Sequence, residues 1–317
     1  METITGAAQD FLDSLSKTQR EGVQFELKDP ARHTWSNLPL NSYPREGLIT
    51  GELSEEQLRL FYLLLEASLS SQGYTQALQI IAVDEIHLQN GNPNMGADQY
   101  SMSISGDPSS TEPWSWQFDG HHLCFTFTIH TDQVTMSPSL WGVDPVEIPE
   151  DGGDLAGIRV LGDEVEMAFV LMNSLTESQQ ETATVSQGVS GGLVAGPDHD
   201  VYSIPDEKLG LSVAEMSLEQ QELLLELAQT FILDMEDTHA ALKLAEVEAE
   251  IETLFFAWVG SAEVDTQIYF RIYGPSLLIE LDHINGADHI HAVYRDPSND
   301  YGENMLAKHY ARYPHGP

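Results

Sequence analysis

The chain has 317 residues, 41% of them hydrophobic, which suits a folded protein with a substantial core and not a disordered one. Its 51 acidic residues stand against 13 basic ones, a formal net charge of −38, so phosphate backbones and anionic membranes are repelled and neither is an expected partner. The single cysteine, Cys124, rules out an internal disulfide and a cysteine-based zinc knuckle. No apolar run approaches the roughly 20 residues that span a bilayer. The opening segment lacks the basic start and apolar stretch of a secretory leader. The chain therefore reads as soluble and cytoplasmic as it stands, or secreted if a leader has been removed. The acids are spread along the sequence without forming a tail, as expected of a solubilising surface.

In chain order, the segment up to about Gln19 reads as a helix with Phe11, Leu12 and Leu15 on one side. Residues 32–53, punctuated by Pro and Gly, read as irregular. Ser54-Glu-Glu-Gln57 is a capping box opening a helix with Leu58, Phe61, Leu64 and Leu65 as its apolar stripe. Gly73 is expected to end it, with a second helix over about 75–88. A loop over 90–113 holds a short strand near 100–104. Segments 114–118, 121–130 and 133–137, separated by Asp119-Gly120 and Thr131-Asp132, read as a β-meander. An acidic, Gly-rich loop follows at 149–157, then a helix over 163–181. Residues 186–203 are Gly-rich and aperiodic, long enough to suggest a lid or binding loop. A strongly amphipathic helix over 212–238 is continued or followed by another over 239–251. Strands return at 253–260, 266–273, 276–282 and 289–295. Asp300 is read as the N-cap of a last helix. No internal repeat is visible in the sequence. Helices and strands fall in blocks, which predicts an α+β fold: a mostly antiparallel sheet with flanking helices. The arrangement expected is one integrated domain over 1–317, its helical segment 1–90 packed on a sheet formed by 100–148 and 253–295.

Two histidine clusters carry the functional signal: Gly120-His121-His122 and His289-Ile290-His291. Strand alternation puts His289, His291, Val293 and Arg295 on one face. In 121–130 it puts His121 with the core residues Leu123, Phe125, Phe127 and Ile129, and His122 with Cys124, Thr126, Thr128 and His130. Glu280 shares a face with Asp282, and Arg271 with Tyr269. Imidazole and carboxylate donors suit zinc, iron, copper or manganese and not a thiolate cluster. Two arginines near such a cluster, in a chain with few cations, would suit an anionic group. The competing account is a buried network in which Glu280 holds Arg271 or Arg295 and the histidines donate to carbonyls. Asp296 reads as a turn residue, His309 as structural and His199 as exposed. Trp114, Trp116 and Trp258 are core residues that would also serve as pocket walls. Ser190-Gly191-Gly192 is a weak nucleophile motif without a neighbouring base. Phosphate-binding, dinucleotide, nucleophile-elbow and His-Glu-x-x-His signatures are absent.

The segments Pro113-Trp-Ser-Trp-Gln-Phe-Asp-Gly-His-His-Leu123 and His289-Ile-His-Ala-Val-Tyr-Arg-Asp-Pro-Ser-Asn-Asp-Tyr-Gly302 together resemble a bacterial and fungal family catalogued as domain of unknown function 3500. The likeness extends to Arg32-His-Thr-Trp35, Phe256-Ala-Trp-Val-Gly260 and Tyr269-Phe-Arg-Ile272. It implies one fold over nearly the whole chain and implies no activity.

The expectation is a metal-dependent enzyme, hydrolytic or oxidative, acting on a small substrate that the arginines would favour as an anion. His289 and His291 are the expected metal ligands with His122 and His121; Glu280 is the candidate carboxylate, and Arg295 and Arg271 would orient the substrate. One alternative is a non-enzymatic binding protein with an Arg/His/Trp pocket for a small ligand. The other is a purely structural polar network.

Overall fold

The computed structural model describes residues 2–186, 192–197, 209–284 and 286–313. Among these are nine α-helices, and the strands form one twelve-stranded, mostly antiparallel sheet, an α+β fold.

Helix boundaries follow from where a side chain can take up the free N–H groups of a first turn. Helices α1 (Glu2–Ser14) and α2 (Lys17–Val23) are separate because Ser16 and Gln19 form a reciprocal capping box. The single opening helix expected to reach Gln19 is interrupted there. The box at Ser54 and Gln57 opens α3 (Glu55–Ser68) as expected. Gly73 does not end a helix. It lies in the first turn of α4 (Ser71–Gln89), where a Cβ would fall 2.3 Å from the Asp234 carbonyl oxygen. The expected 163–181 helix is two, α5 (Gly162–Ser174) and α6 (Glu177–Ala183), divided by a box at Thr176 and Gln179. Likewise 212–238 is divided. A box at Ser217 and Gln220 starts α7 (Leu218–Ile232), and α8 (Asp237–Glu250) follows. The last helix, α9 (Glu303–Arg312), has Gly302 as N-cap. Asp300 is not its cap but lies buried against Arg295 and Ser137.

The sheet contains β1 (Gln24–Phe25), β2 (Leu48–Ile49), β3 (Ser101–Ser105), β4 (Trp114–Asp119), β5 (Leu123–His130), β6 (Gln133–Val143), β7 (Thr184–Ser186), β8 (Leu211–Ser212), β9 (Phe255–Gly260), β10 (Ile268–Tyr273), β11 (Leu278–His283) and β12 (Ile290–Arg295). Its order is β1-β3-β4-β5-β6-β12-β11-β10-β9-β7, with β2 also beside β3 and β8 beside β9. Only the β1–β3 and β7–β9 pairs are parallel among the described strands. The blocks at 100–148 and 253–295 thus lie in one sheet, joined where β6 pairs antiparallel with β12.

That order is palindromic, and the structure carries the internal repeat that the sequence did not reveal. Each half runs helix, capped helix, two short strands, a capped helix, a second helix and four meander strands. Details recur with it. Gln57 donates to the Ser14 carbonyl and to Gln19; Gln220 donates to the Ser174 carbonyl and to Gln179. Gly47 and Gly210 both have positive φ, and a Cβ on either would fall about 2 Å from a strand carbonyl, that of Met102 or Phe256. Side-chain identities have diverged; the capping boxes, the two glycines and the hydrophobic alternation remain.

The helices cover one sheet face, burying Trp116, Phe118, Phe127, Trp258 and Phe270 in the main core. The opposite face is polar, with a small apolar patch of Trp35, Cys124, Leu140, Ala195, Leu278 and Val293. Segments around 32–37, 192–197 and 300–302 lie across it.

Between α4, α5 and α7 two carboxyl groups are buried with no cation paired to them among the described residues. Gln76 donates to Glu164 at 3.2 Å and Gln72 to Asp234 at 3.1 Å, and the second Asp234 oxygen has no partner among the described residues. Burial pushes Glu164 up to about 7 and Asp234 well above its ordinary range. A raised folded-state pKa gives stability that is complete below the unfolded value and is lost as pH rises through the folded one. Wild-type melting temperature should therefore fall as pH is raised through about 7. Glu164→Gln should remove the Glu164 share of that slope, leaving the share due to Asp234, and exceed wild type by on the order of 2–3 kcal/mol at pH 9. Denaturant titrations of both proteins at pH 5, 7 and 9 check this; parallel pH profiles would refute it.

Candidate metal centre

The two histidine clusters meet at one end of the seam between the halves. His121 and His122 are not in β5, which starts at Leu123, but in the turn before it, closed by the Gly120 N–H donating to the Leu123 carbonyl at 2.7 Å. Alternation therefore does not separate them, and both rings reach the same point, their centroids 4.2 Å apart. His291 is in β12, opposite Gly142 of β6, and His289 immediately precedes the strand. One ligand nitrogen from each of His121, His122, His289 and His291 lies within 4.8 Å of all the others.

Gly142 makes this approach possible. Its N–H donates to the His122 carbonyl at 2.6 Å, and a Cβ there would fall 2.7 Å from His291 Cδ2 and 3.0 Å from His122 Cδ2.

Outside the cluster most of the rings are held by a second set of groups. His122 Nδ1 donates to Asp84 Oδ1 at 2.6 Å, and the other Asp84 oxygen accepts from the Tyr100 hydroxyl at 2.5 Å. His121 Nδ1 donates to the Asn37 carbonyl at 2.6 Å, and the Asn37 amide nitrogen is 3.1 Å from His291 Nδ1. His289 Nδ1 is 3.7 Å from Asp144. Such partners fix ring orientation and tautomer and direct Nε2 inward. His122 Nε2 is buried with no hydrogen-bond partner among the described residues, and His289 and His291 face each other with Nε2 atoms 3.2 Å apart.

Burial pushes His121 down to about 4, helped by the neighbouring His122 ring. Burial and the adjoining imidazoles also lower His289, and His291 still further. These rings keep their lone pairs at neutral pH. Burial pushes the Asp84 carboxyl up, but the His122 ring and the Tyr100 hydroxyl outweigh it, leaving Asp84 below its usual range.

The other expected site residues lie apart from this cluster. Arg295 shares the face of His291 but is two side-chain steps along the strand, beyond Val293, and pairs with Asp300 at 2.5 Å and with the Ala195 carbonyl at 3.1 Å. Glu280 accepts from the Tyr269 hydroxyl at 2.5 Å and from the Ala195 N–H at 2.7 Å. Arg271, opposite Glu280 in the sheet, lies against the Tyr273 ring. Glu280 is paired with neither arginine; it and Arg295 instead both hold segment 192–197 on the sheet through Ala195. Trp114, Trp116 and Trp258 are buried in the main core and do not wall the histidines. Asp296 caps its turn through Ser298 and binds Lys243. His309 is 3.0 Å from His130 on another part of the sheet. Ser190, Gly191, His199 and most of the expected lid lie outside the described residues. Sequence reasoning missed Asp84, Tyr100, Asn37, Gly142 and Asp144. The only signal was indirect: an aspartate on the apolar side of α4 and a glycine inside a strand.

The chain belongs to the family described as protein of unknown function (DUF3500), which matches residues 1–303. No curated protein and no solved structure matches it.

Gly142→Ala should force the His122 and His291 rings aside and cost about 1–3 kcal/mol, the usual cost of overpacking. Urea unfolding together with the imidazole C–H resonances tests this. Unchanged stability and unshifted resonances would show that the space is not needed.

Proposed function

We propose that this protein is a metal-dependent enzyme whose transition-metal ion is held by His121, His122, His289 and His291 and which acts on a small substrate. The observation that carries the reading is His122 Nε2, buried without a partner and aimed into a group of three further imidazoles. Two nitrogen ligands on a tetrahedral ion with bonds of 2.0–2.1 Å stand roughly 3.3 Å apart, close to the 3.2 Å between His289 and His291. Small inward ring movements complete the shell. One adjustment is required at Asn37. With its amide nitrogen toward His291 Nδ1, the proton of that ring sits on Nε2. Turning the amide presents Oδ1 instead and frees Nε2 for the ion.

A donor set of imidazoles alone suits zinc or copper in particular, and iron or manganese less well without a carboxylate in the shell. The ion would supply Lewis acidity to a hydrolytic step or redox capacity to an oxidative one. The chain's own contribution is orientation: Asp84 and Tyr100 fix His122, and Asn37 fixes His121 and His291. Arg295 and Glu280, through their hold on segment 192–197, shape the neighbouring face and take no direct part in the ion's shell. With Arg295 paired to Asp300, the case for an anionic substrate weakens.

The second reading, a structural network, has one observation in its favour: the orientation of Asn37 and the His289–His291 contact form a closed hydrogen-bonded set without any ion.

Elemental analysis of protein purified without added metal should find near one equivalent of a single transition metal, restored after chelation by adding it back. Less than about a tenth of an equivalent, not restored by reconstitution, would favour the network. Asp84→Asn should weaken the ion by about 10–100-fold with little change in fold, because the amide no longer sets the His122 tautomer. Competition with a chromophoric chelator measures it, and undiminished affinity would remove Asp84 from the account.

A further inference from the structure

Building on the metal centre proposed above, we infer that its four ligands divide into a fixed tripod, His121, His122 and His291, and one exchangeable ligand, His289, whose position an incoming small ligand takes over. Three observations mark His289 out, the first against all three other rings and the next two against His122 or His291. The first is anchoring. Nδ1 of His121 and of His122 each lie 2.6 Å from an oxygen, and Nδ1 of His291 lies 3.1 Å from the Asn37 amide. Nδ1 of His289 is 3.7 Å from Asp144, outside hydrogen-bonding distance. A ring without a bonded outer partner turns about its side-chain torsions with nothing to break.

The second difference is burial. The His122 side chain is 1% exposed and His291 is 4% exposed, whereas the His289 side chain is 21% exposed, beside an Asp144 that is 43% exposed. His121 shares this half-buried environment, so the solvent side of the cluster runs along His121 and His289, and of these two only His289 lacks a bonded outer partner. The third is the backbone. His291 sits inside β12 with β6 and β11 paired on either side, whereas His289 precedes the strand, as His121 and His122 precede β5. A displaced His289 has Asp144 within easy reach, so the exchange leaves the ring with a hydrogen-bond partner. Catalytic ions commonly keep three protein ligands and leave the fourth position to water or substrate.

The test uses the chelator-stripped full chain and two variants, His289→Ala and His291→Ala, with melting curves as the check on folding. Co(II) uptake is followed by its visible bands, and Zn(II) affinity by competition with a chromophoric chelator. His289→Ala should still take one equivalent with affinity within about tenfold of wild type. His291→Ala should lose more than about a hundredfold, one ligand's share in a four-ligand site. Azide, a donor distinct from imidazole, added to the cobalt-loaded wild type and to cobalt-loaded His289→Ala should drive both to the same spectrum, different from that of the azide-free wild type. If His291→Ala does not fold, His121→Ala takes its place. Equal losses in the two variants, equal retention in both, or a wild-type spectrum that azide leaves unchanged would overturn the division. Failure of the wild type itself to take up cobalt or zinc would instead sink the metal centre, so the two failures are distinguishable.

Discussion

The antiparallel pairing of β6 with β12 is the constraint on which the rest depends. It joins two halves that otherwise each complete their own helix layer and meander. It also sets Gly142 opposite His291, and the Gly142 N–H holds the turn that carries His122. The first half supplies His121, His122 and Asp84; the second supplies His289 and His291. Neither half contains the cluster. A one-residue slip in this pairing would turn the whole of β12 over, removing His291 from the polar face and exposing Ile290 and Ala292. The register is held by what alternates with the histidines: Ile290, Ala292 and Tyr294, all buried in the main core.

The repeat explains why there is one cluster and not two. The turn before β11 is closed by Gly274 donating to the Leu277 carbonyl at 2.8 Å, as Gly120 closes the turn before β5. Pro275 and Ser276 thus stand where His121 and His122 stand. Asp84 and Glu250 each lie fourteen residues past their helix N-caps, Ser70 and Glu236. Ser276 donates its hydroxyl to Glu250 at 2.8 Å, as His122 donates Nδ1 to Asp84. Thr135, paired with Thr128, takes the place that His291 has opposite Asp282. The anchoring carboxylate has been kept in the second half and the imidazoles have not. Nearby, the ammonium of Lys243 reaches the Ser276 carbonyl and Asp296. Asp296 thus has an ammonium beside it, whereas Asp84 is held by the His122 imidazole and the Tyr100 hydroxyl.

Local signals explain what was legible in the sequence. The Ser54 capping box, the meander over 114–137 and the strands from 253 onward are patterns of period 2 or 3.6 with turn residues between them, and the α+β class follows from their grouping. Helix breaks at Ser16, Thr176 and Ser217 were also written locally, as Ser or Thr followed three residues later by Gln, but inside longer amphipathic runs that masked them. The histidines were legible as two pairs; their meeting was not, because it depends on a pairing between strands about 150 residues apart. Alternation misassigned His121 and His122, since it applies within strands and they sit one turn outside. Arg295 was placed with His291 by parity alone, which fixes a face and not a distance along it. The repeat was hidden because it survives in backbone requirements, a positive φ at Gly47 and Gly210 and reciprocal caps, more than in side chains.

The net charge of −38 and the composition of the cluster act at different ranges. A strongly negative surface raises the local concentration of any cation, and does so without regard to its identity, over about a Debye length of 10 Å at 0.1 M salt. In the proposed metal centre, discrimination would come from the inner shell. There the protein offers uncharged imidazoles, with carboxylates one bond further out at Asp84 and near His289 at Asp144. Calcium and magnesium, which prefer oxygen ligands and are abundant counterions of an acidic surface, gain little from nitrogen donors. A shell of imidazoles inside an acidic protein therefore separates attraction from selection. In the proposed metal centre the surface would gather cations of every kind, and the ligand chemistry would retain those for which imidazole outcompetes water.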